Sequence, residues 1–278
     1  MINVDFHVHT TASDGILSPI ETVKHAKENN VKFLAITDHD TLSGLDEAIS
    51  QGLKENITII PGIELSTQYN NESVHILGFF KGNSFKNQNL IAELNKIKDH
   101  RIIRAKNIIQ KLKDEFNIII DYDTVAKSST DTIARPHIAR AIINAGYDYT
   151  MKDIFDKFIG KGCRAYVPTL KVSTQDGINL LKKYNALVFL AHPKLIKNSP
   201  IYEFLNMGFD GIEAFYFQNI PDETRYYFDL IQKNNLLSSC GSDFHGDLIN
   251  DKRHGDIGSV KFSEEYLKKL LTALDISY

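Results

Sequence analysis

Near its N-terminus the chain reads Asp5-Phe6-His7-Val8-His9-Thr10-Thr11, a short strand pattern that carries two histidines. Residues two apart project from the same face of an extended strand, so His7 and His9 are predicted to point the same way. Two imidazoles on one face can bind a single transition metal. A half-buried strand with two polar residues is the alternative, and segments further along the chain decide between the two.

Length and composition indicate a soluble globular protein. The chain has 278 residues, of which 42% are hydrophobic and 24% charged, enough for one large barrel or two ordinary domains. No apolar run reaches the about 18 residues of a spanning helix, and residues 1–5 do not begin a signal peptide. The two cysteines, Cys163 and Cys240, form no disulfide or metal pattern. We therefore expect a cytoplasmic protein.

The charges are unevenly distributed along the chain. Residues 81–170 contain 16 Lys and Arg against 10 Asp and Glu, a net charge of +6. The remainder contains 16 Lys and Arg against 25 Asp and Glu, a net charge of −9. A basic segment beside an acidic one fits an anionic substrate held by the former and cations held by the latter. Chance unevenness over solvated helices is the alternative.

Strands alternate with helices over the first 80 residues. Ser18-Pro19-Ile20-Glu21 forms a capping box that starts a helix, which we expect to end near Asn29. Strands that are apolar throughout favour a parallel sheet covered by helices. Over the whole chain, strands are predicted at residues 4–6, 33–36, 57–60, 74–80, 187–190, 211–215 and 236–240.

The alternation stops between residues 81 and 170, where the sequence predicts helices only. A long helix carries its apolar residues on one stripe, and shorter helices are predicted at residues 136–144 and 150–158. We interpret residues 81–170 as a helical insertion domain. Residues 1–80 and 171–278 would then form a discontinuous α/β domain, whose seven strands favour a TIM-like barrel over an open sheet.

Metal-binding side chains occur in these strands or where they end. Catalytic groups of such barrels lie at the C-terminal ends of the strands, so these side chains are predicted to converge at one mouth. Nitrogen and oxygen ligands together suit Mn, Fe or Zn. The candidates are His7, His9, His39, Glu64, His75, His192, Asp243 and His245. Taken singly, His75 could be a core histidine, Asp14 a turn residue and Glu64 a buried structural carboxylate.

In order and spacing these motifs resemble those of the PHP (polymerase and histidinol phosphatase) family. They are His7-x-His9, Thr37-Asp38-His39-Asp40, Pro61-Gly62-Ile63-Glu64, His75, Ala191-His192-Pro193 and Gly241-Ser242-Asp243-Phe244-His245. The resemblance implies a distorted (β/α)7 barrel that hydrolyses phosphate esters. It also implies two to three divalent metal ions as cofactors, with Mn expected first and Fe or Zn as alternatives.

The same resemblance implies how the ligands are shared among the metals. One metal would have four ligands, His7, His9, Glu64 and Asp243. A second would have three, Glu64, His75 and His192, so that Glu64 bridges the first two metals. The third would be bound by Asp14, His39 and His245. Members of the family carry either Asp or His at the position of Asp14, which bears on metal choice.

The insertion points to one branch of the family. Ala134-Arg135-Pro136-His137 opens a helix, so its first N–H groups, Arg135 and His137 can face an anion. A helical insert with Arg-Pro-His resembles PHP enzymes that act on nucleoside 3′,5′-bisphosphates and on the 5′ ends of short RNAs. We therefore predict Arg135 and His137 as phosphate contacts. A surface Arg135 and a helix-capping His137 are the alternatives. Arg101 and Arg104 could reach the same pocket, but we expect them in solvated positions.

The expected mechanism is hydrolysis of a nucleotide phosphate ester. A hydroxide bridging the Glu64-centred metals would attack phosphorus in line, because metals lower the pKa of bound water and neutralise charge. His192, Asp40 or a metal-bound water would protonate the leaving oxygen. The expected substrate is a small phosphorylated nucleotide or a short oligonucleotide, and no feature indicates a membrane or an obligate protein partner.

Three other functions compete with this one. Histidinol-phosphate phosphatase would share the metal site, but the Arg-Pro-His insert argues against it. An amidohydrolase-type barrel also opens with His-x-His, yet such barrels usually rely on a bridging lysine where this chain has Glu64. An inactive PHP module, as attached to some polymerases, is disfavoured because every ligand position is filled.

Overall fold

The strands of the computed structural model lie where the sequence predicts strands. The structure describes residues 2–127, 133–168, 172–247, 249 and 251–278. Its strands are β1 (Asn3–Asp5), β2 (Val31–Ile36), β3 (Thr58–Tyr69), β4 (Glu72–Phe80), β5 (Ala186–Leu190), β6 (Gly211–Tyr216) and β7 (Leu237–Gly241). Strand β3 is longer than predicted, and it therefore contains Glu64 rather than ending before it.

The seven strands form one sheet in sequence order, which closes almost completely into a barrel. Between the first and last strands, the Phe6 N–H donates to the Cys240 carbonyl at 3.0 Å, and Val8 pairs with Phe244 in a parallel bridge. The predicted α/β barrel with seven strands is confirmed.

The prediction of a wholly parallel sheet is wrong at β4, which runs antiparallel to both β3 and β5. Only Asn70 and Asn71 separate β3 from β4, and both have positive φ angles, 46° and 62°. Two such residues make a tight hairpin turn, whereas a parallel crossover needs a dozen residues or more. The other neighbouring pairs are parallel.

The helices of the described residues surround this sheet. They are α1 (Pro19–Glu28), α2 (Leu45–Glu55), α3 (Gln88–Phe116), α4 (Tyr122–Lys127), α5 (Arg135–Asn144), α6 (Met151–Ile154), α7 (Thr174–Lys183), α8 (Ile201–Phe204), α9 (Pro221–Asn234) and α10 (Glu264–Ala273). The Ser18–Glu21 capping box of α1 forms as predicted. Within the described part of the chain, no helix has both the length and the apolar character needed to cross a membrane.

Helices α3 to α6 lie between β4 and β5, in the predicted helical segment. The C-terminal half of α3 joins α5 and α6 in a hydrophobic cluster of their own, which contains Ile108, Leu112, Ile142 and Ile154. Helix α6 continues as a π-helix, Phe155–Ile159, so the helix predicted at residues 150–158 has two parts. The predicted boundary between residues 170 and 171 lies outside the described residues.

Two further hydrophobic clusters position the site. Inner-face side chains such as Phe6, Phe79 and Phe189 pack inside the barrel against Leu270 of α10. Outer-face side chains of the same strands pack against the surrounding helices. Because these apolar clusters hold the strands firmly, the polar residues at the strand ends are presented from a rigid frame.

Candidate metal centre and substrate pocket

All nine predicted metal ligands lie together at one mouth of the barrel. The first ligand set, His7, His9, Glu64 and Asp243, is fully or almost fully buried. His7 Nε2 lies 3.2 Å from Glu64 Oε2 and 3.4 Å from Asp243 Oδ1. His9 Nε2 lies 3.2 Å from each of the same two oxygens. Two imidazoles and two carboxylates therefore converge on one point.

Glu64 is shared with a second group of histidines. Its Oε1 lies 2.8 Å from both His75 Nδ1 and His192 Nε2, and its Oε2 lies 3.1 Å from His39 Nδ1. His75 pairs with Ser66 near the start of the antiparallel strand β4, and that direction brings it to the mouth. Glu64 thus contacts imidazoles on both sides, as a bridging ligand would.

The third predicted set also comes together. Asp14 Oδ1 lies 3.3 Å from His245 Nε2, and Asp14 Oδ2 lies 3.9 Å from His39 Nε2. His9 joins this group through its Nδ1, which lies 3.7 Å from Asp14 Oδ1. The structure thus places His9 beside the predicted third set, Asp14, His39 and His245.

The electrostatics of the cluster suit cations. Burial opposes the ionisation of Glu64, yet the neighbouring His39 and His7 hold the pKa of its carboxyl well below its usual range. Three buried nitrogens, His7 Nε2, His9 Nε2 and His39 Nδ1, have no hydrogen-bond partner among the described residues. Buried polar atoms without partners are costly, and divalent ions between these nitrogens and the carboxylates would satisfy them. The residues therefore fit divalent metals.

Asp40 does not fit its predicted role as a proton donor. Its buried carboxylate accepts a hydrogen bond from Arg101 Nε at 2.6 Å through Oδ2 and one from the Ser66 N–H at 2.7 Å through Oδ1. Both oxygens accept hydrogen bonds from donors, so this geometry favours an acceptor role over the predicted donor role. Asp40 instead joins helix α3 to strand β3. Arg101 is buried in this ion pair, so its predicted solvated position is also wrong.

His137 is placed as a capping residue rather than as a phosphate contact. It is fully buried, and its Nδ1 accepts the Ala134 N–H at 3.0 Å at the start of α5. Burial lowers its pKa to about 4, so the ring is neutral. The capping alternative is the one that this geometry supports, because the fully buried ring does not line the pocket.

The metal-site residues share a cavity with the inserted helices. The cavity has a volume of about 390 Å³ and is lined by Asp14, His39 and His75. The helices between β4 and β5, with the segment that follows them, contribute Arg101, Arg104, Arg135, Phe155, Lys161 and Tyr166 to its lining. Helices α3 and α5 therefore present cations to the space next to the metal ligands.

Two of these cations, Arg104 and Arg135, have no carboxylate within ion-pair distance in the described ranges. Arg104 Nε donates to the Val167 carbonyl at 2.8 Å. The Arg135 guanidinium lies 5.5 Å and 5.9 Å from the ring centres of Phe155 and Tyr166. Burial and the neighbouring Arg135 lower the pKa of Arg104 to about 10, so it stays charged at neutral pH. Two partly buried guanidiniums without a carboxylate partner in the described part of the chain have the charge and donors to bind an anion.

Three residues of the site escaped the sequence reasoning. Glu213 and Tyr216 of β6 contact the ligands His7 and Asp243, at 3.0 Å in both cases. Glu213 could have been recognised from the sequence, because it is a charged residue inside an otherwise apolar strand. His254 Nε2 lies 3.6 Å from Asp243 Oδ2, and this histidine falls in an irregular loop where no strand-end pattern marks it.

Comparison with known proteins settles the family. A family model described as the PHP domain matches residues 5–236. The chain belongs to the PHP family. Its predicted membership is confirmed, and its clustered ligands agree with divalent metal ions as cofactors.

Several PHP proteins are similar over almost their full length. The chain is 31% identical to the 5′-3′ exoribonuclease Rnm of Salmonella typhimurium, over 87% of this chain and 84% of the relative. It is 28% identical to the 3′,5′-nucleoside bisphosphate phosphatase of Chromobacterium violaceum, over 88% of each chain. A solved structure from Bifidobacterium adolescentis, assigned as a metal-dependent phosphoesterase, superposes with a TM-score of 0.85 at 27% identity, covering 98% of this chain and 96% of that one. These comparisons place the PHP chain among metal-dependent phosphoesterases, which are hydrolases of phosphate esters.

Proposed function

We propose that this protein hydrolyses the 3′-phosphate of nucleoside 3′,5′-bisphosphates and binds their 5′-phosphate with Arg104 and Arg135. One observation carries the proposal: a single cavity is lined by the proposed ligands Asp14, His39 and His75 and by two guanidiniums that have no carboxylate partner among the described residues. A substrate that satisfies both needs two anionic groups separated by a small spacer. A nucleoside bisphosphate has this form, and it matches the activity in the name of the Chromobacterium violaceum relative.

The proposed ligand sets are those implied by the family resemblance. They are His7, His9, Glu64 and Asp243 for one ion, Glu64, His75 and His192 for a second, and Asp14, His39 and His245 for a third. When bound, such ions lower the pKa of water and neutralise the charge that develops on the phosphoryl group. We propose manganese, with iron or zinc as alternatives. The proton for the leaving oxygen would come from a metal-bound water, or from His192 where this residue does not hold an ion.

The five imidazoles around Glu64 explain its proposed central role. They approach its two carboxylate oxygens at 2.8 to 3.2 Å and come from four different strands or strand ends. A carboxylate has about four lone-pair sites, so it can serve ligand groups on both sides at once. Glu64 therefore fixes the spacing of the first two ligand sets.

Short 5′-phosphorylated RNA is a second candidate substrate, favoured by the rim of the cavity. Lys161 and Arg253 line the cavity and are exposed, so they can meet the phosphates of a chain that extends outward. The first nucleotide of such an RNA offers the same 5′-phosphate to Arg104 and Arg135 and the same 3′-phosphoryl group to the metals. Each further phosphate engaged adds electrostatic affinity.

Two proposals concern the organisation of the protein. Residues 81–170 form an insertion domain in a barrel made of residues 1–80 and 171–278, as the separate hydrophobic cluster of α3, α5 and α6 supports. The enzyme works in the cytoplasm, where the unpaired Cys163 and Cys240 are stable as thiols.

The test compares phosphate release with Mn²⁺ from adenosine 3′,5′-bisphosphate and histidinol phosphate, beside shortening of a 5′-phosphorylated RNA. We expect fast release from the bisphosphate and removal of nucleotides from the 5′ end of the RNA. Histidinol phosphate has a single phosphate, leaves the two arginines without a partner and should react slowly. Preferential turnover of histidinol phosphate would contradict the proposal.

A further inference from the structure

Strand β6 contributes none of the proposed ligands but presents two polar side chains to them. Glu213 and Tyr216 both face the site, although residues three apart in a regular strand point to opposite faces. The pairing of β6 with β7 shifts register between Glu213 and Phe215. Such a bulge re-aims the side chains that follow it, which explains how both residues reach the same side.

Glu213 touches two different ligands with its two oxygens. Its Oε1 lies 3.0 Å from His7 Nδ1, and its Oε2 accepts the His192 N–H at 2.6 Å. Glu213 is fully buried. His7 belongs to the first proposed metal position and His192 to the second. One buried carboxylate therefore connects both positions.

The backbone around Glu213 is adapted to these contacts. His192 has a φ of 24°, a strained value for a residue with a side chain, and its N–H points at Glu213. A Cβ at Gly241 would lie 2.2 Å from Glu213 Oε1 and 2.3 Å from His7 Cβ. Only glycine at position 241 leaves room for the carboxylate to reach the imidazole.

We propose that Glu213 is a positioning residue that orients His7 and His192 and thereby sets the affinity of the metal centre. With the Nδ1 proton of His7 donated to Glu213, its Nε2 lone pair faces Glu64 and Asp243, as a metal ligand requires. The inference rests on the proposed metal ligands but not on the proposed substrate.

The chemistry of the two contacts explains why a carboxylate is needed. Both partners are donors, since a backbone N–H can only donate and the Nδ1 of a ligating His7 carries its proton. A carboxylate accepts at both oxygens, whereas an amide has one acceptor and one donor. In Glu213→Gln one of the two contacts would therefore set a donor against a donor.

The test measures Mn²⁺ binding to metal-depleted Glu213→Gln by equilibrium dialysis with elemental analysis. We expect the dissociation constant to rise about 10- to 100-fold, as for other groups that orient ligating histidines. Co²⁺ absorption spectra should change as well, because a reoriented His7 alters the ligand field. Glu265→Gln, on the exposed face of α10, is the matched control and should bind like the wild type.

A second variant separates positioning from stability. Glu213→Asp keeps two acceptor oxygens but is one methylene shorter, so it should lose part of the affinity and should bind more tightly than Glu213→Gln. Wild-type affinity and an unchanged Co²⁺ spectrum in folded Glu213→Gln would overturn the proposal, even if its melting temperature fell. If that variant does not fold, wild-type affinity in Glu213→Asp overturns it instead. These metal-binding measurements need no substrate, so a negative result in the bisphosphate assay would not change what they say about Glu213.

Discussion

Replacing Arg135 by Gln separates binding of the second phosphate from the chemistry at the metals. Arg135 lies over Phe155 and Tyr166, and one guanidinium nitrogen donates only a long bond, 3.4 Å, to the Ile159 carbonyl. Its other donors have no hydrogen-bond partner among the described residues, so they can meet an anion. Hydrogen bonds to charged groups contribute about 1.5–3 kcal/mol, so losing them should lower kcat/KM for the bisphosphate about 10- to 100-fold.

The assay uses adenosine 3′,5′-bisphosphate beside adenosine 3′-monophosphate, which lacks the 5′-phosphate. Arg135→Gln should lose activity on the first substrate and keep its activity on the second. Arg164→Gln is the control, since Arg164 lies in the same segment but is exposed and pairs with Glu115. An equal loss on both substrates would refute the assignment, because it would mean that Arg135 acts on the transferred phosphate or on the fold.

Further predictions concern the metal centre and the stability of the fold. Glu64→Ala should abolish phosphate release while leaving the far-ultraviolet circular dichroism unchanged, and substantial retained turnover would rule out a bridging role. Arg101→Met leaves the carboxylate of Asp40 buried without its ion-pair partner, so the free energy of unfolding in urea should fall by about 3–5 kcal/mol; a fall below about 1 kcal/mol would contradict this. Tyr216→Phe removes a hydrogen bond to Asp243 and should weaken Mn²⁺ binding about 10-fold in dialysis, whereas unchanged binding would exclude the contact. Chelation should lower the melting temperature and added Mn²⁺ should restore it, because ions that bind only the folded state stabilise it; an unaffected melting temperature would contradict a metal-bound fold.

The sequence predicted which side chains cluster at the barrel mouth because its signals are local. His7 and His9 follow an apolar strand, as do His39 and Asp243, and strand ends on one side of a barrel meet in space. The grouping of these residues therefore required only the correct order of strands. The apolar stripe of α3 was equally local, since helical periodicity shows it directly.

The direction of β4 and the partners of single side chains were beyond the reach of such patterns. His75 was expected at the mouth of a parallel barrel, and it lies there only because the Asn70-Asn71 turn reverses the chain. Asp40 and His137 have the residue types of catalytic and phosphate-binding groups. The role of Asp40 depends on Arg101, sixty-one positions away in sequence. The role of His137 depends on the burial of the α5 N-terminus. No local pattern encodes either contact.

The most direct measurement is the identity of the nucleoside product formed from adenosine 3′,5′-bisphosphate by metal-depleted protein, with and without added Mn²⁺. Chromatography against standards distinguishes the two monophosphates. If the 5′-phosphate is held by Arg104 and Arg135, adenosine 5′-monophosphate should form, and only when metal is present. Adenosine 3′-monophosphate as the main product, or equal turnover without metal, would contradict the assignment of the two phosphates to these two sites.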